Sequence, residues 1–244
     1  SITVPTKVDL SAGVATKLNG VSVDYFDADA QLSVTLKAAN GSLQIDKLPQ
    51  VGALNAFATS VSGTYTVTGN LEQVNSVLSR LSFTGAIGQT DAGLRLSVTP
   101  AGRSVTGSSD VALSIHNSAQ VTLPSTAGNA VAGTATRLTG IDIQDIDSSQ
   151  VTVTLSSAQG KMTLETASTS VFTSIAADGT LSLSGAVADV RAALSAVTFT
   201  ASAGSTQAVV RVQVTDNDPL NAPGQAPMIL GVSKAPPVVL TPAT

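Results

Sequence analysis

Eight of the chain's 14 aspartates crowd into three short stretches: Asp24, Asp27 and Asp29; Asp142, Asp145 and Asp147; and Asp216 with Asp218. Two of the stretches carry the kindred phrases DADAQLSVTL, from Asp27, and DIDSSQVTVTL, from Asp145; the third is VTDNDP, from Val214. Carboxylates packed this tightly repel, which raises their pKa or demands a cation. Three kinds of behaviour fit. Two carboxylates about 5–9.5 Å apart can hydrolyse glycosides. Carboxylate and amide oxygens on adjoining turns suit Ca2+, which takes six to eight oxygen ligands. Asp and Asn also serve as plain turn residues that bond their own backbone.

The rest of the inventory narrows the choice. Asp145 and Asp147 are close enough for such a pair, but nothing else assists them and there is no Trp to form a sugar platform, which argues against an enzyme. His116 is the single histidine, so no histidine cluster for zinc exists, and its place at a strand end beside a repeat boundary reads as a surface or linker position. No EF-hand loop, glycine-rich nonapeptide array, P-loop or dinucleotide fingerprint appears. Asn40-Gly41-Ser42 fits a glycosylation sequon, but reads better as a hairpin turn. With no Cys, disulfides and thiolate sites are excluded. A net charge of −4 and a pI near 4.7 argue against nucleic acid, which needs a basic footprint. No run of 18 apolar residues is present and no charged-then-apolar leader opens the chain, so neither membrane insertion nor a signal peptide is expected.

The elements that must position the aspartates repeat. GNLEQVNSVLSRLSFT at 69–84 matches GAVADVRAALSAVTFT at 185–200, with 6 of 16 positions identical. TKLNGVSV at 16–23 matches TRLTGIDI at 136–143, and LRLSVT at 94–99 matches VRVQVT at 210–215. Two copies of one unit follow, 1–117 and 118–244, with the boundary at His116-Asn117-Ser118. Segments such as LSVTLKA and YTVTG alternate apolar and polar residues with the period of a half-buried strand. One segment per copy changes period: Leu71, Val74, Leu78 and Leu81, then Val187, Val190, Leu194 and Val197, recur at helical spacing. Asn70 and Ser184 are the expected N-caps. Short strands with one short helix per copy predict an all-β chain of two tandem β-sandwich domains. KAPPVVLTPAT, from Lys234, reads as an extended tail or a linker to a further domain.

The order Asp-x-Asp, strand, glycine turn, helix and a strand ending in Phe-Thr, found twice, resembles the cadherin-like repeats of bacterial surface and secreted adhesins, which are close in pattern to chondroitin sulfate proteoglycan repeats. The two-domain layout also resembles the rhizobial adhering (Rap) proteins. The resemblance implies cadherin-like, immunoglobulin-like sandwiches that bind Ca2+ near their ends and recognise acidic exopolysaccharide. It implies an extracellular or cell-surface location, with a polysaccharide or cell-surface ligand as partner and biofilm or matrix adhesion as role. Carried over residue by residue, the Ca2+ ligands are Asp145, Asp147, Asp216, Asn217 and Asp218 in copy two. In copy one Asp27 and Asp29 match, but Pro100, Ala101 and Gly102 stand where the second element belongs. Copy one is therefore expected to bind weakly, to bind nothing, or to borrow a ligand such as Asp110. The competing expectation is a structural spacer from a giant adhesin, a monomer or a piece of a longer array.

Overall fold

The computed structural model describes residues 1–46, 63–104, 107–125 and 128–235; most of the proline-rich tail, from residue 236, lies outside them. The chain divides into two compact units, Ser1–Asn117 and Ser118–Thr244. In the first, the elements are β1 (Ile2–Thr3), β2 (Val8–Ser11), β3 (Ala15–Lys17), β4 (Ser22–Val23), β5 (Leu32–Ala39), β6 (Gly41–Ile45), β7 (Thr64–Gly69), α1 (Leu71–Leu78), β8 (Leu81–Gly85), β9 (Asp91–Pro100) and β10 (Gly107–His116). In the second they are β11 (Gln120–Thr122), β12 (Gly128–Val131), β13 (Ala135–Arg137), β14 (Asp142–Gln144), β15 (Gln150–Ser156), β16 (Gly160–Leu164), β17 (Phe172–Ile175), β18 (Leu181–Ala186), α2 (Val187–Leu194), β19 (Val197–Ala201), β20 (Gln207–Thr215) and β21 (Gly224–Ser233).

Each unit is an immunoglobulin-like β-sandwich with one short helix. The large sheet of the first unit runs β2-β10-β9-β5-β7 against a small sheet β3-β8-β6. The second repeats this as β12-β21-β20-β15-β18-β17 against β13-β19-β16. In both, the opening strand changes partner. β1 pairs antiparallel with β4 and β2 then pairs parallel with β10, as β11 does with β14 and β12 with β21.

The sequence periodicity explains the layers. Along β5, Leu32, Val34 and Leu36 face inward and are fully buried, while Ser33, Thr35 and Lys37 face out. β15 repeats the pattern with Val151, Val153 and Leu155. Side chains of successive strand residues point to opposite faces, so the apolar half forms the core and the hydroxyl half coats the sheet. Registered pairs then line up hydroxyls across strands, as in Thr66-Thr35-Ser97-Ser108. On β15 and β18, the Thr152 and Ser184 hydroxyls lie 2.8 Å apart. The Ser and Thr excess is thus a solvent coat that leaves few charges on the large sheets.

α1 is capped as expected: the Asn70 side chain accepts from Gln73 N, and the Gln73 side chain accepts from Asn70 N, a reciprocal capping box. The second unit departs from expectation. Ser184 lies inside β18 and Ala186 holds the cap position with no side-chain bond. The strand runs straight into the helix, leaving Ser184 paired with Thr152 instead.

With few aromatics available, each core is filled by one central ring, Phe83 or Phe199, both fully buried. Each ring lies over a glycine on the neighbouring strand. A Cβ on Gly41 would stand 2.4 Å from the Phe83 ring and 2.5 Å from Thr84 O; one on Gly160 would stand 2.3 Å from Thr200 O and 2.5 Å from the Phe199 ring. Backbone on one side and a buried ring on the other leave no direction to yield. Gly160→Ala is expected to cost the second unit about 2–3 kcal/mol, lowering its melting transition by roughly 10 °C; calorimetry of the full chain would read this as loss from one transition.

Candidate metal centre

The strands carry the aspartates to one end of the second unit. Asp145, Asp147 and Asp216 each present a carboxylate oxygen, and these oxygens lie within 4.8 Å of one another. Asp145 and Asp147 come from the loop between β14 and β15; Asp216 follows the last residue of β20. The loops meet because β15 and β20 are antiparallel neighbours, with Thr152 opposite Thr215.

Each loop is held by its own aspartate. Asp145 Oδ1 accepts from Asp147 N (3.0 Å) and Ser148 N (2.9 Å). Asp216 Oδ1 accepts from Asp218 N (2.9 Å), and its Oδ2 from Asn221 Nδ2 (2.7 Å). Asn217 bridges the turn at φ +62°, a left-handed conformation that Asn tolerates better than most residues. Asp218 Oδ1 accepts from Leu220 N (2.9 Å), and its carboxylate is not part of the cluster of three. Asp216 is 9% exposed, Asp145 partly buried and Asp147 exposed.

One atom stands out. Asp145 Oδ2 is shut off from solvent and receives no hydrogen bond. Burial pushes the Asp145 carboxyl up from its ordinary value, against the pull of the Ser148 and Asp147 amides, and the adjoining Asp147 carboxylate adds to the rise. A buried acceptor without a donor costs free energy in the absence of a cation. Oxygens sharing one Ca2+ at about 2.3–2.6 Å each can lie no more than about 5 Å apart. The three carboxylates meet that limit, so the donor set and its spacing fit a hard cation.

The helix holds this loop from behind. On α2, Arg191 Nε pairs with Asp142 Oδ1 at 2.7 Å, and its guanidinium donates to Ile143 O. Asp142 is therefore an anchor on β14, outside the cluster. The first unit makes the same clasp with a neutral residue: Asn75 on α1 donates to Val23 O and accepts from Val23 N, both at 2.8 Å. This clasp escapes a reading of the residues alone. Its signal is the equivalent placing of Asn75 and Arg191 on the two helices.

The loop after the clasp differs in length between the copies: Val23 matches Ile143, but Leu32, opposite Gly69, matches Val151, opposite Gly185, so the first unit's loop is one residue longer. Tyr25 packs on the first unit's core, and its ring lies 4.6 Å from that of Phe26. Pro100, buried at the end of β9, takes the place of Asp216. Asp27 and Asp29 form an exposed turn, with Asp29 N donating to Asp27 Oδ1 at 3.1 Å. Asp110, the expected lender, is paired with Arg95 at 3.3 Å on the outer face of the large sheet. Asp24 exchanges backbone bonds with Ser1. Among the described residues, the cluster of three in the second unit is the one that satisfies metal spacing. His116 Nε2 lies 3.2 Å from Asp9 Oδ1, which also pairs with Lys7 at 3.0 Å.

No family model and no curated protein matches the chain. Among solved structures, the I67–I69 I-band fragment of titin is similar at 12% identity and a TM-score of 0.38, over 96% of this chain; the chain spans 65% of that fragment's length. EC1-2 of human protocadherin-24 is similar at 10% identity and a TM-score of 0.36, covering 98% of this chain and 100% of that one. EC1-2 of human mucin-like protocadherin is similar at 14% identity and a TM-score of 0.30, covering 96% and 98%. None of the described helices is long and apolar enough to cross a membrane.

The raised Asp145 carboxyl sets a pH signature. Its folded value lies above the unfolded one, so the protonated form favours folding. The resulting penalty is absent below the unfolded value near 3.8 and sets in as pH rises to the folded value. In EDTA at pH 7, Asp145→Asn is expected to raise the melting temperature of the second unit. The gain should vanish below about pH 4, a trend that melting curves between pH 3 and 7 would follow.

Proposed function

We propose that the chain is a calcium-binding extracellular adhesion module whose ion sits at the Asp145-Asp147-Asp216 cluster, and that it recognises a polysaccharide or a cell surface. The observation that carries the metal reading is the buried Asp145 Oδ2, without a donor, on a carboxylate clustered with those of Asp147 and Asp216. Asn217 and Asp218, on the same turn as Asp216, are proposed to complete the coordination through side-chain or carbonyl oxygens. Asp27 and Asp29 are proposed to bind Ca2+ weakly at most, because Pro100 occupies the place of Asp216 and, among the described residues, no third acid joins them. A cation there would turn a repulsive loop pair into a tie between the end of β20 and the start of β15. Because it would bind the folded state alone, it would stabilise the second unit by mass action.

The adhesive part of the proposal rests on the resemblance to bacterial cadherin-like repeats, including the Rap proteins, and on the hydroxyl coat of the large sheets. Such a coat offers donors and acceptors to a glycan without demanding an opposite charge. A spacer role within a longer adhesin is the alternative, and the repeated, weakly charged sandwich suits it equally well. The module is proposed to act outside the cell, without catalysis and without nucleic acid.

Titration calorimetry of the full chain with CaCl2 is expected to show one site of measurable affinity and a higher melting temperature for one unit. Asp216→Asn should weaken binding at least about tenfold, the loss of one charged ligand. Absence of both calcium heat and thermal shift would rule the metal reading out. Binding to glycans or whole cells, with Ca2+ and with EDTA, then separates the roles: calcium binding with no ligand on any surface would leave the spacer.

A further inference from the structure

The chain contains two Asn-Gly pairs, Asn19-Gly20 and Asn40-Gly41, and one Asp-Gly pair, Asp178-Gly179. In such pairs the side-chain carbonyl carbon can reach the backbone nitrogen of the glycine, and the missing Cβ leaves that approach open. Attack closes a five-membered succinimide ring. A fold permits it only where the side chain can turn, the glycine amide is not already bonded and the ring has room.

Two of these pairs are blocked. Asn40 Nδ2 donates to Asp91 O at 3.1 Å, and Asn40 O accepts from Ala86 N at 2.9 Å. Gly41 pairs with Gly85 and lies against the Phe83 ring, so turning this peptide to close a succinimide would pull β6 off β8. At the third pair, Asp178 Oδ1 accepts from Thr180 N and the Gly179 amide donates to Ala176 O, both at 2.9 Å. Side chain and nucleophile are both engaged there. Asn19-Gly20 has neither restraint. It forms the turn between β3 and β4, and both residues are exposed. Gly20 sits at φ +80°, and a Cβ built on it would meet nothing within 4 Å. Among the described residues, neither the Asn19 side chain nor the Gly20 amide takes part in a hydrogen bond. The second unit makes the same turn with Thr139 and Gly140, the glycine at φ +77°. Its turn has the shape without the reactive amide.

We propose that Asn19 is a site of spontaneous, one-way self-modification confined to the first unit. Gly20 N attacks Asn19 Cγ; the bond from Cγ to the side-chain nitrogen breaks, and ammonia leaves, carrying the proton from Gly20 N. Water, the one co-reactant, then opens the ring at either carbonyl and leaves aspartate or isoaspartate. Nothing is oxidised or reduced. Either product makes the net charge of −4 one unit more negative. The isoaspartate product also adds a methylene to the backbone between β3 and β4. Because no step runs backwards to the amide, the converted fraction records how long a chain has existed since synthesis. The reaction needs no metal and no partner.

The test is peptide mapping by mass spectrometry after the full chain has aged in mildly alkaline buffer, folded and in urea. In the folded chain the peptide holding Asn19 is expected to gain the mass of an amide-to-acid exchange and to split into two chromatographic isomers, with ammonia released in equal amount. The rate should rise with pH, because the attacking nitrogen must lose its proton. Asn40 should convert at least about tenfold more slowly while folded, since two hydrogen bonds must break first, and should catch up in urea. Asn19→Thr installs the second unit's residue; melting curves show that it is folded, and its early ammonia release should vanish. No conversion of Asn19 in the folded chain, conversion of Asn40 or Asp178 there at an equal rate, or undiminished ammonia from folded Asn19→Thr would overturn the proposal.

Discussion

Each unit depends on one ring pressed against one glycine. In a chain with 3% aromatic residues, Phe83 and Phe199 are the largest buried side chains, and they occupy the centre of the small sheet. Aliphatic residues fill the remaining volume, with no second large ring to absorb an error. Gly41 and Gly160 let the neighbouring strand approach the ring at backbone distance. That contact fixes the register of the small sheet. Through the strand that enters from the helix, it also fixes where the helix lies. The helix in turn holds the strand that leads to the aspartates, by Asn75 in one unit and Arg191 in the other. The acidic cluster is thus the last consequence of a packing constraint that begins in the core.

On this shared frame the two copies have diverged at their ends. At the loop end, Pro100 stands where the second unit has Asp216, and Tyr25 packs on the first unit's core. An aromatic ring and a proline need no cation and fill space by themselves, so the first unit closes its end with packing, whereas the second leaves carboxylates facing one another. At the hairpin end, Arg95 with Asp110 contrasts with Arg211 and Pro227. The interiors hardly differ, because the buried alternation tolerates exchange of Leu, Val and Met but not of register.

Much of this was legible in the residues. The period-two alternation placed the strands, and Asn70 marked a helix start that its reciprocal cap with Gln73 bears out. The distance in sequence between DIDSS and VTDNDP said nothing of their contact. What joined them was the expectation that both end strands of one sandwich, and the antiparallel pairing of β15 with β20 brings them together. The missed features have physical reasons. Ser184 was a plausible cap by composition, but a cap depends on where the chain leaves its strand, and β18 continues to Ala186. Asp27 and Asp29 matched Asp145 and Asp147 by turn type, since a short Asx turn forms wherever Asp precedes a free amide. What separates the two turns is the second loop, where Pro100 stands in the place of Asp216. The helix clasp depends on a side chain reaching from the helix to the strand before the loop, which no linear pattern records.

The tyrosine at the first unit's closed end has one more effect. The chain has no tryptophan, and its two tyrosines, Tyr25 and Tyr65, both belong to the first unit. Near-ultraviolet emission therefore reports on the first unit alone, while the unit with the acidic cluster is optically silent apart from phenylalanine. An ion bound at Asp145 would leave that signal unchanged unless its effect crossed from one unit to the next. The protein thus has a built-in optical gauge of communication between its two halves, with no label required.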